Sequence, residues 1–531
     1  MSLVGTFLTF LPEVVLLAGA LLIFLLDTLG RRRTELVGGI AVGSVLVALL
    51  FVIGDLGYAP FAALATIPAS QIDAVPAAGS APLYWFSSLG LFFQLFFLTA
   101  AFFVALASIS RPSRAKGSSV FFGLVLLATL GMLLVAVSSD LIFLLLAIEV
   151  VSIPSYLLVG YTRRDARAME AAMKFYVIGA LSTVISFFGA SFLFGAYGTT
   201  NLFVLSQGVA IATGYGVLVV LGYGLLIAGL AFKITLVPFH AWAVDVYDGA
   251  PDEVSAFLAG GTKKIGLFAF FLVFLGPVLL LNQGVQFQWF AGIGPVDVGP
   301  VFQILLSILA VVTMTVGNVL ALMQKSMKRM LAYSSISQAG YMLIGIAIGS
   351  PEALTGASLQ VFAHVLMKGG AFLVVAAATA IGVGPLISDY RGLGTRRPFL
   401  GLSFAVMLLG LAGVPLTIGF LSKFVLFSAA VQAQGYFVWL AVAGLLNSAL
   451  SVFYYARVIK TMYFDAAPTE TVAPLSTADG AGPLAGLGGL GYARAASIGI
   501  AAAVIVILGV YPGPLLQPLS AAAQHFWQLG I

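Results

Sequence analysis

Six ionisable residues lie inside apolar runs long enough to form membrane helices: Glu149, Lys233, Lys263, Lys264, Lys368 and Lys423. A charge at the centre of a membrane helix costs about 2.5–3.5 kcal/mol, against about 0.3–0.6 kcal/mol returned by each Leu, Ile, Phe or Val. One such charge per helix is tolerable, but residues of this kind usually face a hydrated or paired interior and carry function. Because carboxylates and lysines both take up and release protons, this set predicts proton transfer within the membrane.

Lys233 lies five residues ahead of Pro238 in the run LAFKITLVPFH. Pro238 supplies no N–H for the carbonyl of Ile234, and an unpaired carbonyl survives at membrane depth only where water or a polar partner reaches it. The stretch therefore predicts a small hydrated cavity in which Lys233 gains and loses a proton. The alternative is an ordinary proline kink beside a lysine that is already paired.

A second helix repeats this combination, because Pro415 interrupts LLGLAGVPLTIGFLSKFVLF and Lys423 follows it. Corresponding broken helices in two halves are typical of transporters built from inverted repeats, with their sites near the middle of the membrane. We therefore predict two inverted-topology repeats with broken seventh and twelfth helices. The predicted segments are an N-terminal three-helix segment at 1–117, repeats at 118–281 (helices 4–8) and 300–463 (helices 9–13), and an inner loop with the last helix at 464–531.

Two charged residues of the first half allow more than one interpretation. Glu149 is a proton-binding carboxylate, the counter-ion of a buried lysine or part of a structural ion pair, and its depth favours function. Lys174 lies one turn inside the sixth predicted helix, where a long side chain favours snorkelling to the inner surface over proton transfer.

The remaining candidates come in two pairs. Lys263 and Lys264, in FLAGGTKKIGLF, lie about 100° apart around the eighth predicted helix, so at most one is expected to face the polar path. His364 and Lys368, in HVLMK, are four residues apart on one face of the eleventh, which suits either a proton relay or a hydrogen bond between helices. Lys174, Lys264, His364 and Lys368 are therefore auxiliary candidates. No metal site is predicted, because the three His residues of the chain lack the spacing of metal ligands.

The elements that hold these residues are membrane helices. Of the 531 residues, 61% are hydrophobic and 8% are charged, and the mean hydropathy is +1.12. A soluble domain is about one quarter charged, so soluble classes are excluded. The sequence contains no Cys, which excludes disulfides, Cys-ligated iron–sulfur clusters and thiol chemistry.

A spanning helix needs about 20 mostly apolar residues. This length predicts an all-α polytopic membrane protein with fourteen transmembrane helices, at 7–29, 36–54, 84–109, 118–138, 140–161, 171–197, 217–243, 254–281, 300–323, 331–349, 354–381, 400–430, 436–463 and 494–515.

Positive charge predicts the orientation of these helices. With the N-terminus outside, 18 of the 24 Lys and Arg fall in inner loops or at inner helix ends, six fall within predicted helices, and the outer loops hold none. Inner loops carry an excess of Lys and Arg, so both termini are expected on the outer side of a bacterial or archaeal inner membrane. The first helix lacks the positive region of a cleaved signal peptide and is expected to remain in the mature protein.

The stretch FKITLVPFHAWAVDVYDGAPDEVSAFLAGGTKK resembles the signature of subunit N of respiratory complex I, an antiporter-like membrane subunit. The family pattern is FK, PFH, PDVY-x-GAP and a lysine after FL-x-x-x-[ST], and here Val244 replaces the proline before Asp245. LPEVVLLAGALLIFLLD, LAYSSISQAGYMLIG and DYRGLGTRRP also resemble that subunit, so the resemblance covers almost the whole chain. HVLMK is instead more similar to subunit L and to Mrp-type antiporters.

The resemblance implies a role for each residue. Glu149 on the fifth helix would pair with Lys233 on the seventh, Lys263 on the eighth would be the central relay, and Lys423 on the twelfth the terminal proton-transfer residue. Lys264 takes a position that the family usually fills with a small residue.

The resemblance also implies a proton-translocating subunit of NADH-quinone oxidoreductase, in which redox energy released elsewhere shifts charges along a central polar axis. The chain would be a non-redox subunit of this translocase and would bind no cofactor or nucleic acid. NADH, FMN, iron–sulfur clusters and quinone would be held by partner subunits, and the other membrane and peripheral subunits and the lipid bilayer would be its partners.

Two other functions fit the buried lysines. A subunit of an Mrp-type cation/proton antiporter, or of a complex I-like assembly linked to ferredoxin or hydrogenase, would carry the same residues; HVLMK favours the antiporter and DVYDGAP does not. A membrane scaffold that has lost pumping would tolerate neutral replacements of Glu149 and Lys263, and the retention of the full buried set argues against it.

Overall fold

The computed structural model describes residues 7–30, 34–74, 82–110, 117–162, 165–206, 216–281, 286–287, 296–466 and 491–529. Eight of the basic residues behind the predicted orientation lie outside these ranges, as does most of the predicted inner loop: Arg31, Arg32, Arg33, Arg111, Arg114, Lys116, Arg163 and Arg164.

Among the described residues, the first half of the chain forms eight long helices, besides short helical segments at Phe61–Leu64, Ala69–Gln71 and Leu202–Ser206. The long helices are α1 (Leu11–Thr28), α2 (Thr34–Asp55), α3 (Ser88–Ile109), α4 (Ser118–Ala136), α5 (Leu141–Val159), α6 (Ala166–Tyr197), α7 (Gly216–Ile234 and Ala241–Gly249) and α8 (Asp252–Phe257 and Lys264–Leu281).

The second half begins after a two-residue antiparallel pair, β1 (Gln286–Phe287) and β2 (Val296–Asp297). Its helices are α9 (Val298–Met323), α10 (Met327–Ile348), α11 (Pro351–His364 and Gly370–Ala380), α12 (Pro398–Ala412 and Ile418–Gln432), α13 (Phe437–Tyr463), α14 (Tyr492–Val510) and α15 (Gly513–Gln528).

Thirteen helices in the described part of the chain are long and apolar enough to cross a membrane. The two segments of α12 are shorter and take the place of the predicted twelfth helix. The predicted all-α, multi-pass membrane architecture is confirmed.

Four helices depart from continuous α-helical geometry. α7 is non-helical at 235–240 and α12 at 413–417, and these gaps contain Pro238 and Pro415. α8 and α11 instead widen into π-helical turns at Leu258–Thr262 and Val365–Gly369. These π turns pack against each other, since a Cβ on Gly260 would lie only 3.4 Å from the Cα of Gly369. Single π turns inside α-helices often mark functional sites.

α8, α10 and α11 lie in the centre of the molecule. In the most apolar stretch of each of these helices, 100%, 94% and 100% of the residues are buried, compared with 33% in α1, α2 and α6. Close packing of the second half needs small residues, because a Cβ on Gly317 of α9 would lie 2.5 Å from the backbone nitrogen of Ser337 on α10. Polar side chains on the three central helices are therefore shielded from lipid by the rest of the chain.

The helix α15 was not predicted. The expected last helix at 494–515 is α14, which ends at Val510, and a separate 16-residue helix follows it. α15 buries one face, with Leu519 and Phe526 fully enclosed, and the Trp527 indole nitrogen donates to the carbonyl of Gly349 at 3.0 Å. Sixteen residues are too few for a span, so a search for spanning lengths passes over this helix.

Candidate functional site

Glu149 lies in the middle of α5, which begins where the Asp140 side chain accepts hydrogen bonds from the backbone of Ile142 and Phe143 at 2.9 and 3.0 Å. Its side chain is half-buried, and Thr183 of α6 donates a hydrogen bond to Oε1 at 2.6 Å. The carboxylate is therefore anchored to α6.

Lys233 is buried in the last turn of the first α7 segment. Its ammonium donates to the Ser152 hydroxyl of α5 and lies 5.7 Å from the centre of the Tyr156 ring. Ser152 is three residues after Glu149, so one turn of α5 separates the two charged groups. They form no direct ion pair within the described residues, and the pairing implied by the resemblance stays a prediction.

The break in α7 is wider than an ordinary proline kink. The helix ends at Ile234 and Thr235 adopts a positive φ of 62°. The carbonyls of the preceding turn find protein partners, since Leu236 N donates to Ala231 at 2.9 Å and the Trp242 indole to Phe232 at 3.2 Å. The proline thus ends the helix instead of bending it, and protein groups satisfy the carbonyls of Ala231 and Phe232. Water at the carbonyl of Ile234 stays a prediction.

A cavity of about 20 Å³ lies between Lys233 and Lys263. Its polar lining also includes Ser152, Ser155 and Thr262, whereas Trp242 and Leu258 are among its apolar walls. A water molecule needs about 10–15 Å³ of such space and two to four polar partners, so the cavity accommodates about one water between the two lysines. A hydrated space beside Lys233 was predicted, although it faces Lys263 and not the carbonyl of Ile234.

Lys263 follows directly on the π turn of α8, where its backbone nitrogen donates to the carbonyl of Leu258 at 3.2 Å. The buried ammonium donates to the carbonyl of Ser335 on α10 at 2.8 Å and to the Ser335 hydroxyl at 3.3 Å. Lys263 therefore joins α8 to α10 at the centre of the bundle.

Lys264 is also buried. Its ammonium has no hydrogen-bond partner among the described residues and interacts electrostatically with His364 and Lys368. Both lysines are buried because α8 is enclosed by other helices, and the expectation that at most one of them faces the polar path stays a prediction.

His364 directly precedes the π turn of α11 and Lys368 lies within it, and both side chains are fully buried. Lys368 donates to the Ser334 hydroxyl of α10, while neither ring nitrogen of His364 has a partner in the part of the chain that the structure describes. No group of three or more His, Asp or Glu residues there could hold a metal ion.

Lys423 lies in the second segment of α12 and reaches back across the break. Its ammonium donates to the carbonyls of Leu411 and Ala412 at 2.9 and 3.1 Å and to the Ser448 hydroxyl at 2.9 Å. Leu416, in the break, has a positive φ of 70°. A cation at the carbonyl end of a helix is stabilised by the helix dipole, so Lys423 caps the first α12 segment.

Two glutamines connect the central helices to Lys423. The Ser422 hydroxyl donates to Gln360, Gln360 Nε2 donates to Gln338 at 2.6 Å, and Gln338 Nε2 donates to the Leu411 carbonyl at 3.3 Å. That carbonyl also accepts from Lys423. The amides form a continuous polar link from α10 through α11 to α12.

Lys174 lies apart from the row of buried lysines on α7, α8, α11 and α12. Its ammonium contacts Glu170 at 2.8 Å and Asp245 at 3.0 Å, and Asp245 also accepts from Arg329 at 3.1 Å. Because the Lys174 side chain is 42% exposed, it belongs to a surface ion cluster.

Sequence reasoning missed the hydroxyl and amide groups that hold the lysines or link the helices that carry them. They are Ser152, Ser334, Ser335, Gln338, Gln360, Ser422 and Ser448. The polar run YSSISQ inside an apolar helix is the one sequence signal that marks three of them.

Comparisons with known proteins identify a family and several similar chains. The family model for the transmembrane region of NADH:quinone oxidoreductase and Mrp antiporters matches residues 138–451. The chain is 38% identical over 524 residues to the F420H2 dehydrogenase subunit N of Methanosarcina mazei, covering 96% of this chain and 97% of the relative. It is 37% identical over 520 residues to NADH-quinone oxidoreductase subunit N 2 of Sorangium cellulosum, covering 95% of each. The fold matches a chain of respiratory complex I from Thermus thermophilus with a TM-score of 0.72, at 28% identity over 95% of this chain and 98% of that one.

Proposed function

This chain belongs to the NADH:quinone oxidoreductase/Mrp antiporter transmembrane family, and we propose that four of its residues carry protons through the membrane: Glu149, Lys233, Lys263 and Lys423. Within the family it is of the subunit N type, an antiporter-like, proton-translocating membrane subunit. It is one subunit among others in a complex I-type assembly. The full-length relatives named above are dehydrogenase and quinone oxidoreductase subunits, which favours this assignment over a free-standing antiporter.

The redox chemistry belongs to other subunits. NADH or another donor, FMN, iron–sulfur clusters and quinone are bound by partners, and this chain receives their energy as a shift of charge. The absence of Cys from the sequence supports this division, since the thiolate ligands of iron–sulfur clusters are missing. The chain lies in the cell inner membrane with both termini on the outer side, as the distribution of Lys and Arg supports.

The first step is a change in the contact between Glu149 and Lys233. In the observed arrangement the ammonium of Lys233 is held by Ser152, one turn of α5 away from the carboxylate. When Lys233 moves from Ser152 towards Glu149, the positive charge beside Lys263 is withdrawn. Opposite charges favour each other's ionised forms and like charges disfavour them, so this movement raises the proton affinity of Lys263, and the return movement lowers it.

The observation that carries the proposal is the cavity of about 20 Å³ that both Lys233 and Lys263 line. A water in this space would bridge the two amines and pass a proton between them. The next step leads from Lys263 towards Lys423 along the polar side chains of α10, α11 and α12. Lys423 then releases the proton.

Replacement of Lys263 by Met tests this function in the assembled complex, reconstituted into vesicles with its electron donor and quinone. Met has a similar volume and cannot carry a proton, so we expect proton uptake or release to fall at least about a hundredfold, the lower range for loss of an acid–base group. Lys460→Met is the matched control, because Lys460 is exposed and pairs only with Asp465 at 3.0 Å among the described residues. Undiminished proton pumping by Lys263→Met in a complex of normal subunit composition would contradict the proposal.

A further inference from the structure

Lys264 occupies an unusual electrostatic position among the buried residues. It comes directly after Lys263 and the π turn of α8. This turn packs against the π turn of α11, which contains Lys368 and directly follows His364. The charge of Lys264 acts on all three of these basic residues. Lys264 is therefore the point at which the first-half lysines meet those of the second half.

The ammonium of Lys264 is also free to exchange a proton. Lys263, Lys368 and Lys423 each donate to a hydroxyl or carbonyl, whereas Lys264 has no hydrogen-bond partner among the described residues. Both ring nitrogens of His364 beside it are equally unpartnered. Buried polar groups in proteins are almost always hydrogen-bonded, to water where no protein group is present, so these atoms are the place between the two helices where a water molecule would bind.

The charged groups that act on Lys263, His364 and Lys368 are all lysines. Adjacent basic groups without a carboxylate cannot all be ionised, because each positive charge disfavours the next. A proton bound at one of these groups therefore disfavours protonation of its neighbours, and their titrations are coupled.

We propose that Lys264, with His364 beside it, is a proton-carrying station that passes protons from Lys263 to Lys368. The inference rests on the proposed function and adds a residue to its path. In the step, an N–H bond of the Lys263 ammonium breaks as an N–H bond forms at the neutral Lys264 amine, and one positive charge moves with the proton. Lys368, held by Ser334, is the next acceptor towards Lys423.

Packed phenylalanine rings block the route that leads from Lys264 along α8. Phe268 lies one turn beyond Lys264 on α8 and packs against Phe93 of α3 with ring centres 4.4 Å apart. Phe362, two residues before His364, packs against Phe96 of α3 at 4.8 Å. Phe526 of α15 covers Phe268 at 6.5 Å. A packed apolar layer of this kind admits no water, so the proton leaves Lys264 sideways to α11 and not along α8.

Three replacements of Lys264 in the reconstituted complex test this station. Lys264→Met removes the proton carrier, and Lys264→Arg keeps a positive charge but cannot release its proton. We expect both to lower proton pumping at least about tenfold, and Lys264→His, which can exchange a proton, to retain more pumping than either. Lys460→Met again serves as the control.

Wild-type pumping by Lys264→Arg would overturn the inference, because a structural role for the charge predicts that rescue. Wild-type pumping by Lys264→Met would overturn it as well. Should the Met variant fail to assemble, the comparison of Arg with His decides alone: His no better than Arg counts against the station. Loss of pumping in Lys263→Met with wild-type behaviour of all Lys264 variants rejects this inference and leaves the proposed function standing, whereas wild-type pumping by Lys263→Met rejects the proposed function.

Discussion

Lys233 and Lys423 accompany the two interrupted helices, but the chain holds them differently. Lys233 precedes its break and is held by a serine hydroxyl and an aromatic ring, whereas Lys423 follows its break and caps two carbonyls. Lys233 can therefore change partners without exposing a helix end, and Lys423 cannot. This asymmetry suits a mobile charge at the first site and a fixed exit at the second.

Ser152 accepts the hydrogen bond of the Lys233 ammonium and lies three residues after Glu149 on α5. We expect Ser152→Ala to lower proton pumping about tenfold, because a hydrogen bond to a charged group is worth about 1.5–3 kcal/mol and its loss shifts Lys233 towards the carboxylate. Pumping and quinone reduction would be measured together in vesicles, with Ser152→Thr as the control that keeps the hydroxyl. Equal pumping by the Ala and Thr variants would count against a role for Ser152.

The lysines and Glu149 could be identified from the sequence, because a charge in an apolar helix is conspicuous in composition alone. Most of their partners could not, since an uncharged serine or glutamine does not stand out in the composition of a membrane helix. The residue that Lys233 binds also depends on how α5 and α7 are rotated against each other. No local pattern in LAFKITLVPFH fixes that rotation.

At the scale of the helices, two kinds of irregularity organise the row of lysines. The breaks in α7 and α12 each contain a proline, and both positions could be predicted from it. The π turns of α8 and α11 could not, because the segments LAGGT and VLMKG contain no proline and read as continuous helix. An extra residue in a turn shifts the face of every residue that follows, so the faces on which Lys263 and Lys264 lie could not be derived from the sequence as an uninterrupted helix.

The contact of α9 with α10 depends on glycine. A Cβ on Gly317 would lie 2.5 Å from the Ser337 backbone, so Gly317→Ala must push the two helices apart at a cost of about 1–3 kcal/mol. We expect the assembled complex to dissociate or lose activity at a lower temperature, measured by heating and native electrophoresis. Gly43→Ala on α2 is the matched control, because its Cβ would meet nothing within 4 Å. Equal heat sensitivity of the two variants would show that the close contact between α9 and α10 does not limit the stability of the complex.

At the scale of the whole molecule, a buried ion pair joins two helices that are far apart in the sequence. Arg494 at the start of α14 contacts Glu253 at the start of α8 at 3.1 Å, and their side chains are only 5% and 11% exposed. The two residues are 241 positions apart, so no sequence window contains both. The membrane class and the spanning helices could be predicted from apolar composition and length. The long-range ion pair and the short helix α15 could be found only in the folded structure.

Arg494→Met should destabilise the complex strongly, by about 3–5 kcal/mol, because it leaves the buried Glu253 carboxylate without this partner. The double variant Arg494→Met with Glu253→Gln removes both charges, and we expect it to recover most of the stability. Dissociation temperatures of the complex in mild detergent would measure both. A double variant no more stable than Arg494→Met would show that the charge pair does not account for the loss.

The enclosure of α8, α10 and α11 has an electrical consequence. Mobile ions screen charges over about 8 Å in physiological salt, but they have no access to a core that other helices surround completely. Two unit charges 20 Å apart interact with about 0.8 kcal/mol at an effective dielectric constant of 20, compared with about 0.2 kcal/mol in water. The surrounding helices therefore keep the electrostatic interaction between the buried lysines largely unscreened. A charge that moves near one lysine changes the electrostatic potential at the next, with little influence from the salt or the lipid headgroups outside.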